Sequence, residues 1–393
     1  MSQLNPYKNA SDPLKIYYDI QVTNLASSVN PPPALYFNEV RNTPFINVPE
    51  DYYFSIIRMT LDTPTLPVFI PEVTSNLNFN PTLNLNQTIY SFQFSYDGFF
   101  DPSGQTYIIW TPQDQSAVIP TSFSEYGTQV NLGGYYNCYS FEYWLALINT
   151  QLITAFESFR TKYEAIYGPL PAGANAPQMA WDSSSQTARI VYDQTYLNSN
   201  ATPIYFYMNA PLYNIFNSFS AIKLGYGPNG LNWRMIVLDY AGFNAYTIND
   251  PINPTNNGSF VNMVQEWSTV PAFSPITAVV FVSNTLPIVS NQLSAPVLIQ
   301  EGIVLSNTGN NSNFQQIITD LVSDSGLYKP NLVYQPSAQY RLIDMTGNRP
   351  LSNLDISVFW RDKNGQLNPF LIGSGASATL KILFTKKHTE MGK

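Results

Sequence analysis

The sequence predicts an all-β protein, a β-sandwich with long loops that one helical segment interrupts. Three observations lead to this prediction. Short apolar or alternating runs recur along the chain, Pro and Asn fill the gaps between them, and only one segment has the apolar spacing of an amphipathic helix. Because helices do not alternate with the strands, a parallel α/β architecture is disfavoured.

The predicted strands extend over most of the chain. Their spacings are irregular and often wider than the roughly 8 to 12 residues of a simple meander, which indicates long loops. The runs are LKIYYDIQVTN from Leu14, YYFSIIRMTL from Tyr52, TIYSFQFSY from Thr88, TYIIWTP from Thr106, WRMIVLDY from Trp233, ITAVVFVSN from Ile276, PVLIQEGIVL from Pro296, LDISVFW from Leu354 and ATLKILFTKK from Ala378.

The helical segment follows Ser140, a residue type that favours the N-cap position. Gly168 and Pro169 end the pattern. We expect this aromatic stripe to pack against a sheet or within an inserted subdomain, in preference to forming a cofactor box or a partner groove. The apolar residues at three- and four-residue spacing are Phe141, Trp144, Leu145, Ile148, Leu152, Phe156 and Phe159.

The helix and the segments after it predict an insertion into the sandwich. A linker-like stretch, PLPAGANAP, leads to a predicted hairpin made of APQMAWD, the turn SSSQ and TARIVYD. We therefore predict residues 135–230 as an inserted, partly helical subdomain. Residues 1–134 then form the N-terminal part of the sandwich with long loops, and residues 231–393 form its C-terminal part.

The alternating pattern of the C-terminal segment predicts strands that are buried on one face and solvent-exposed on the other. Tyr340 and Leu342 share a parity with the apolar residues of the LDISVFW strand, and Asp355 lies on the opposite parity. The turn DKNG, from Asp362 through Asn364 to Gly365, follows the strand. A turn is favoured over a calcium loop, because further oxygen ligands in register and a closing acidic residue are missing.

Composition limits the partners of the chain. Its 393 residues are 44% hydrophobic and 15% aromatic, enough for a sizeable core, but only 11% are charged. A net charge of −8 makes direct nucleic-acid binding an unlikely role. The basic residues near the C-terminus are the exception, and we expect a solvated, frayed end there in preference to a nucleic-acid surface: Lys381, Lys386, Lys387, His388 and Lys393.

The sequence offers little equipment for catalysis. One cysteine, Cys138, excludes an internal disulfide framework and a Cys-cluster zinc site, and the one histidine, His388, lies close to the C-terminus. The motifs GSGAS (373–377) and GYGPNG (225–230) predict loops and not a nucleophile elbow or a phosphate cradle. We predict no enzyme and no catalytic, cofactor-binding or metal-binding residues, and hence no cofactor.

Carboxylates and aromatic rings leave two questions open. Paired carboxylates are sufficient for glycoside hydrolysis, but spacing cannot pair the candidates, and most are expected in turns or on the surface. The cluster YYNCYSFEYW (135–144) could stack on sugars, pack in the core or anchor a subunit interface. The candidate carboxylates are Glu266, Asp320, Asp324 and Asp344.

Neither secretion nor membrane insertion is expected. The segment MSQLNPYKNASDPLK has no apolar core of a signal peptide, and no run of about 18 apolar residues occurs. We therefore expect synthesis in a cytosol.

Four segments of the C-terminal third form a pattern: IITDLVSD, YQPSAQYRLID, PLSNLDISVFWRDKNGQLNP and ATLKILFTKK, in that order. With these segments the chain resembles the end of penton, or minor capsid, proteins of polinton-like viruses and virophages, in the double jelly-roll lineage of double-stranded DNA viruses. The middle is similar as well, in SFEYWLALINTQLITAF, APQMAWDSSSQTARIVYD and ITAVVFVSNTLPIV. The resemblance covers most of the chain from about Ser140 onward.

The resemblance implies a single jelly roll with an inserted region, of which five copies close a fivefold vertex of an icosahedral capsid. It implies no catalytic residues. The implied partners are other copies of the chain and the major capsid protein, with a host surface as a further contact, and the implied location is the virion, after assembly inside a host cell. The alternative is a carbohydrate-binding or glycoside-hydrolysing jelly roll, whose aromatic and carboxylate side chains would converge in one groove.

Overall fold

Strand pairing in the computed structural model divides the chain into two units. Unit 1 consists of Met1–Leu66 and Pro275–Lys393, and unit 2 is Pro67–Ser274. The structure describes residues 13–25, 32–73, 85–115, 117, 119–120, 134–224, 233–238, 245–248, 260–289, 297–300, 303–306, 316–322, 331–335, 341–363, 365 and 367–387. Of these, 245–248, 297–300 and 303–306 are described by their backbone alone.

The strands and helices follow one another in chain order through the two units. Unit 1 begins with β1 (Lys15–Thr23), β2 (Tyr36–Val40) and β3 (Tyr52–Asp62). Unit 2 contains β4 (Gln87–Tyr96), β5 (Phe99–Phe100), β6 (Thr106–Ile109), α1 (Phe141–Tyr167), β7 (Gln178–Asp182), β8 (Thr187–Asp193), β9 (Tyr205–Met208), α2 (Ala210–Ile215), β10 (Ala221–Lys223), β11 (Trp233–Met235), β12 (Ala245–Ile248), β13 (Phe260–Val264) and α3 (Val270–Phe273). Unit 1 resumes with β14 (Ile276–Ser283), β15 (Val297–Gln300), β16 (Ile303–Ser306), β17 (Gln316–Leu321), β18 (Asn331–Tyr334), β19 (Ile343–Asp344), β20 (Asn353–Asp362), β21 (Leu367–Pro369) and β22 (Ser377–Lys386).

Unit 1 is a sandwich of two antiparallel sheets. Sheet 1 has the order β1-β22-β3-β18, and sheet 2 has the order β2-β20-β14-β17. Two short strands extend the sheets, because β19 pairs with β3 and β21 pairs with β20. This distribution of eight strands is that of a jelly roll, in which two Greek keys interleave. The predicted all-β, single jelly-roll fold is confirmed.

The core of unit 1 lies between the inward faces of the two sheets. Phe54 and Phe384 pair across β3 and β22 with their rings 5.4 Å apart, and the predicted stripe of LDISVFW is buried along β20. A cavity of about 20 Å³ remains between the sheets, lined almost entirely by apolar side chains such as Ile20, Phe37 and Val358. This volume is little more than the roughly 10 to 15 Å³ that a single water molecule requires, so the cavity is too small for a sugar or another organic ligand.

Strand β14 is apolar on both faces. Its inward side chains Val279 and Phe281 face the core, and a second buried cluster on the opposite face contains Ala278, Val280 and Val282. This explains why ITAVVFVSN is a nearly continuous apolar run and does not alternate.

In unit 1, the solvent exposure predicted from the sequence is wrong at two positions. Asp355, expected in water, is 2% exposed, because its carboxylate accepts hydrogen bonds from the turn that follows β14. Leu342, expected in the core, is 41% exposed, because β19 is only two residues long and buries its neighbour Ile343. Tyr340 lies outside the described residues.

Unit 2 is organised around helix α1. The side chain of Ser140 accepts a hydrogen bond from the amide of Tyr143, and Gly168 ends the helix with a φ of 92°, so both predicted ends are confirmed. The buried stripe packs against β4, where the ring of Phe94 lies 5.4 Å from Phe156 and 6.2 Å from Phe159. Around the helix are sheet 3, of order β10-β11-β9-β4-β5 with β6 on β4, and sheet 4, of order β12-β13-β8-β7.

The segment predicted as an insertion, 135–230, lies within unit 2, which begins earlier and ends later. The earlier boundary follows from β4, which pairs with β9 through Phe92 and Met208. The later boundary follows from β13, which pairs with β8 through Val261 and Tyr192. Residues 87–109 and 260–264 therefore pair within unit 2 and not in the jelly-roll sheets.

Candidate functional site

The candidate carboxylates that the structure describes are not brought together as a pair. In unit 1, Asp320 accepts ion pairs from Arg341 at 3.1 Å and from Arg361 at 3.3 Å, and Asp344 lies 2.9 Å from the Nζ atom of Lys387. Glu266 is exposed in unit 2, and Asp324 lies outside the described residues. Because a glycosidase needs two cooperating carboxyl groups, these residues give no support to glycoside hydrolysis.

The thiol of the single cysteine is unreactive. Cys138 is fully buried, its Sγ atom donates to the carbonyl of Ser140 at 3.1 Å, and burial raises the pKa of the thiol to about 12. The nucleophilic thiolate is therefore absent at neutral pH. Within the described part of the chain, no group of three or more His, Cys, Asp or Glu residues could hold a metal ion. His388 lies outside it.

The motif GSGAS forms a turn that leads into a strand, as predicted. Gly375 has a φ of 74°, and Ser377, the first residue of β22, donates its amide and its hydroxyl to the carboxylate of Asp62 at 2.7 and 3.1 Å. The serine therefore helps to fix the strand and is not presented as a nucleophile. The second motif, GYGPNG (225–230), lies outside the described residues.

The expected frayed and solvated C-terminus is wrong for the described part of the basic segment. Lys381 lies in β22, 3.3 Å from Asp19 and 5.6 Å from the centre of the Tyr17 ring. Lys387 is held by Asp344 and lies 5.1 Å from the centre of the Tyr53 ring. These lysines are partnered by groups of their own chain and do not form a free basic patch. His388 and Lys393 lie outside the described residues.

The aromatic cluster at 135–144 contributes mainly to the core of unit 2. Tyr135, Tyr136 and Trp144 are buried, and the indole of Trp144 contacts the rings of Phe69 and Tyr90 at 4.8 and 5.6 Å. Core packing, one of the three roles left open above, accounts for these three rings.

The remaining candidate feature of unit 1 is a set of exposed apolar side chains at the sheet edges. Strands β1 and β2 are the edges of sheets 1 and 2 on one side, where the rings of Tyr18 and Phe37 lie 6.3 Å apart. We call this side flank 1. Its exposed apolar residues are Leu14, Tyr17, Leu25, Tyr36 and Val40.

The opposite side of the sandwich, flank 2, is formed by the edge strands β17 and β18. Arg341, which precedes β19, links the two sheets there by donating to Thr319 of β17 at 2.9 Å. Its exposed apolar residues are Val322, Val333 and Leu342. Sequence reasoning did not assign residues to either flank, because strand alternation identifies faces but does not identify which strands end a sheet.

The two units differ in charge. Unit 1 contains 13 acidic and 13 basic residues and is neutral, whereas unit 2 contains 13 acidic and 5 basic residues, a net charge of −8. The whole formal charge of the chain therefore belongs to unit 2. None of the described helices has a stretch long and apolar enough to cross a membrane.

Comparison with known proteins points to viral capsids. A family model described as Sputnik minor capsid protein V18/19 matches residues 16–386. Structural protein V19 of Sputnik virophage is 30% identical over 215 residues, which cover 53% of this chain and 93% of that protein. Uncharacterized protein V18 of Sputnik virophage is 28% identical over 179 residues, which cover 45% of this chain and 98% of that protein.

Two solved structures are similar over nearly the full length. A chain of the Sputnik virophage, solved by cryo-electron microscopy, superposes with a TM-score of 0.77 at 26% identity and covers 96% of this chain and 99% of its own. A crystal structure of the mavirus penton protein gives a TM-score of 0.59 at 14% identity, with coverage of 95% and 99%. At this low identity, the second likeness is one of fold.

Proposed function

The chain belongs to the Sputnik minor capsid protein V18/19 family, and we propose that it is the penton, a ring of five copies that closes each fivefold vertex of an icosahedral capsid. It is a structural capsid protein of the virion and not an enzyme. The proposal extends this to homopentamer assembly, to contact with the major capsid protein around the ring, and to synthesis and assembly inside a host cell.

The observation that carries the proposal is the likeness of fold to the mavirus penton over 95% of this chain, with both units included. The jelly roll of unit 1 supports it, because a rigid sandwich with two different edges suits a position between two neighbours in a shell. The proposal also includes contact with a host surface.

A ring of five makes particular physical demands on each copy. The contact between neighbours is heterologous, so each chain needs two different and complementary surfaces, and closure into a ring satisfies both surfaces of every copy. The low overall content of charged residues, 11%, favours such association, because fewer ionic groups must lose water at the contacts.

Light scattering of the full chain over a dilution series tests the proposal. A penton that closes on its own gives a species of about 220 kDa, five times the chain mass of 44.1 kDa, which converts to the single chain on dilution. A mass of 44.1 kDa at every concentration, or a stable dimer, contradicts it.

A further inference from the structure

The exposed large apolar side chains of unit 1 are concentrated at its two flanks. Among the described residues of unit 1, the one other such side chain is Val289, whose amide donates to the carbonyl of Asp344 in β19 at 3.0 Å, whereas the central strands β3, β14, β20 and β22 expose none. On flank 1, Val40 is 71% exposed, and on flank 2, Val333 is 69% exposed. Solvent-exposed edges are usually blunted by charge or by Pro, because an edge strand readily pairs with another chain.

We propose that flank 1 of one copy packs against flank 2 of the next, and that this single type of contact, repeated, closes the ring. The inference rests on the proposed penton function and deepens it by naming the assembly surface. The occupant of each flank is thus a second copy of this chain.

The sheet order places the two flanks where a head-to-tail contact requires them. In sheet 1, β1 and β18 are at opposite ends, and in sheet 2, β2 and β17 are at opposite ends. A molecule with complementary patches on opposite sides associates head to tail and forms either a ring or an open filament, depending on whether the rotation closes. Two different flanks cannot give the isologous contact of a simple twofold dimer.

Charge favours a second copy over a charged partner. On flank 1, the Nε atom of Arg41 donates to Glu39 at 2.7 Å, and Tyr18 donates to the same carboxylate. On flank 2, Asp320 is compensated by Arg341 and Arg361. Because each acidic group that the structure describes at the flanks has cations of its own chain, and unit 1 as a whole is neutral, a strongly acidic or basic partner gains little there.

One cluster on flank 1, at Arg41, joins a guanidinium to two aromatic rings and is suited to act as an anchor. The guanidinium of Arg41 lies 5.0 Å from the centre of the Phe45 ring and 5.8 Å from that of Tyr18, and these two rings are 5.2 Å apart. Arg and Tyr are over-represented among residues that dominate binding, and ordering them before contact lowers the entropy cost of association.

Three matched substitutions test the surface in the full chain. Val40→Asp on flank 1 and Val333→Asp on flank 2 each bury a carboxylate at the proposed contact, and Ile153→Asp, at a position in α1 of unit 2 that is 47% exposed, is the control. We expect both flank variants to need a chain concentration at least about tenfold higher for assembly, and the control to assemble like the wild type. Circular dichroism and thermal unfolding confirm that each variant is folded.

Mixing the two flank variants adds a test that loss of folding cannot imitate. Val40→Asp keeps flank 2 intact and Val333→Asp keeps flank 1 intact, so an equimolar mixture has one good contact and stops at a dimer of about 88 kDa, twice 44.1 kDa. At the same chain concentration, chosen so that the wild type is assembled, each variant alone stays at the mass of one chain.

The outcomes separate the two claims. A wild-type ring that persists in both flank variants, a control that is as damaged as they are, or folded variants that stay monomeric when mixed overturns the flank assignment and leaves the penton function standing. A wild-type chain that never assembles overturns the penton function, and the flank assignment with it.

Discussion

The two units of this chain differ in the side chains that fill their cores. In unit 1 the ring pairs among the described residues are few, at Tyr18, Phe37, Phe45, Phe54 and Phe384, and aliphatic side chains fill most of the sandwich. Unit 2 has two clusters of rings along α1, one at Trp144 and one at Phe156 and Phe159, and the whole net charge of −8. The units therefore differ in core packing and in charge, but not in the number of exposed large apolar side chains, because each exposes nine among the described residues. A neutral unit 1 suits association at its flanks, and the charge of unit 2 gives mutual repulsion between copies.

The largest loss of stability is expected in the aromatic clusters of unit 2. Phe94 is buried and contacts the rings of Phe156, Phe159 and Phe206. Phe94→Ala should lower the free energy of unfolding of unit 2 by about 3 to 5 kcal/mol, because it removes a large buried ring and leaves a cavity. Denaturant unfolding followed by tryptophan fluorescence measures it.

The same experiment separates the units. Trp360 is the one tryptophan of unit 1 and the other five belong to unit 2, so a Trp360→Phe background makes the fluorescence report on unit 2 alone. Phe100→Ala is the matched control, because Phe100 is exposed, and a change of about 1 kcal/mol or less is expected there. Equal losses of unfolding free energy in both variants would contradict a stabilising role of the buried rings in unit 2.

A smaller loss of stability is expected in unit 1 when Asp355 is replaced. Its carboxylate accepts from the hydroxyl of Ser283 at 2.5 Å and from the amides of Asn284 and Thr285 at 3.0 and 2.9 Å. Asp355→Asn should cost about 1 to 3 kcal/mol, because an amide cannot accept from all of these buried donors. Glu50→Gln, at an exposed position of unit 1, should change the stability by less than about 0.5 kcal/mol.

The same residue predicts a dependence on pH. Burial acts to raise the pKa of Asp355, but the hydrogen bonds from Ser283, Thr285 and Asn284 outweigh it and hold the pKa below its usual value. Its contribution is therefore complete at neutral pH and is lost as the pH falls through the folded-state pKa, below about 3.8. Thermal unfolding from pH 7 downward should show a stability gap between wild type and Asp355→Asn that narrows at the acid end. A constant gap would contradict this assignment.

The smallest effect concerns the charge of unit 2. A ring brings five copies of unit 2 into one particle, so added salt should screen their repulsion and let the ring form at lower chain concentration, by a few-fold between about 0.05 and 0.5 M. Glu142→Gln together with Glu266→Gln changes the net charge of unit 2 from −8 to −6 and should weaken this salt effect. A ring that dissociates in salt would indicate contacts made by opposite charges.

The local features of the fold could be predicted from sequence because their signals lie within a few residues. The cap at Ser140 and the stop at Gly168 defined α1, and period-two alternation identified the buried face of β20. The limits of unit 2 could not be predicted in this way, because they depend on pairing between residues as distant as Phe92 and Met208.

The residues of the two flanks could not be predicted from the sequence for the same reason. Val40 and Val333 become notable only when β2 and β18 are known to end their sheets. Asp355 looked like a solvent-facing residue, since its hydrogen-bond donors lie about 70 positions earlier in the chain. Sequence did exclude a catalytic apparatus built on histidine or cysteine, because those residue types are almost missing from the chain.

Electron microscopy of the purified wild-type assembly tests the central claim most directly, because class averages count the copies and show whether the contact closes. The account predicts closed rings of five copies in which each neighbouring pair has the same head-to-tail contact. Twofold dimers, open filaments or rings with another number of copies would contradict it.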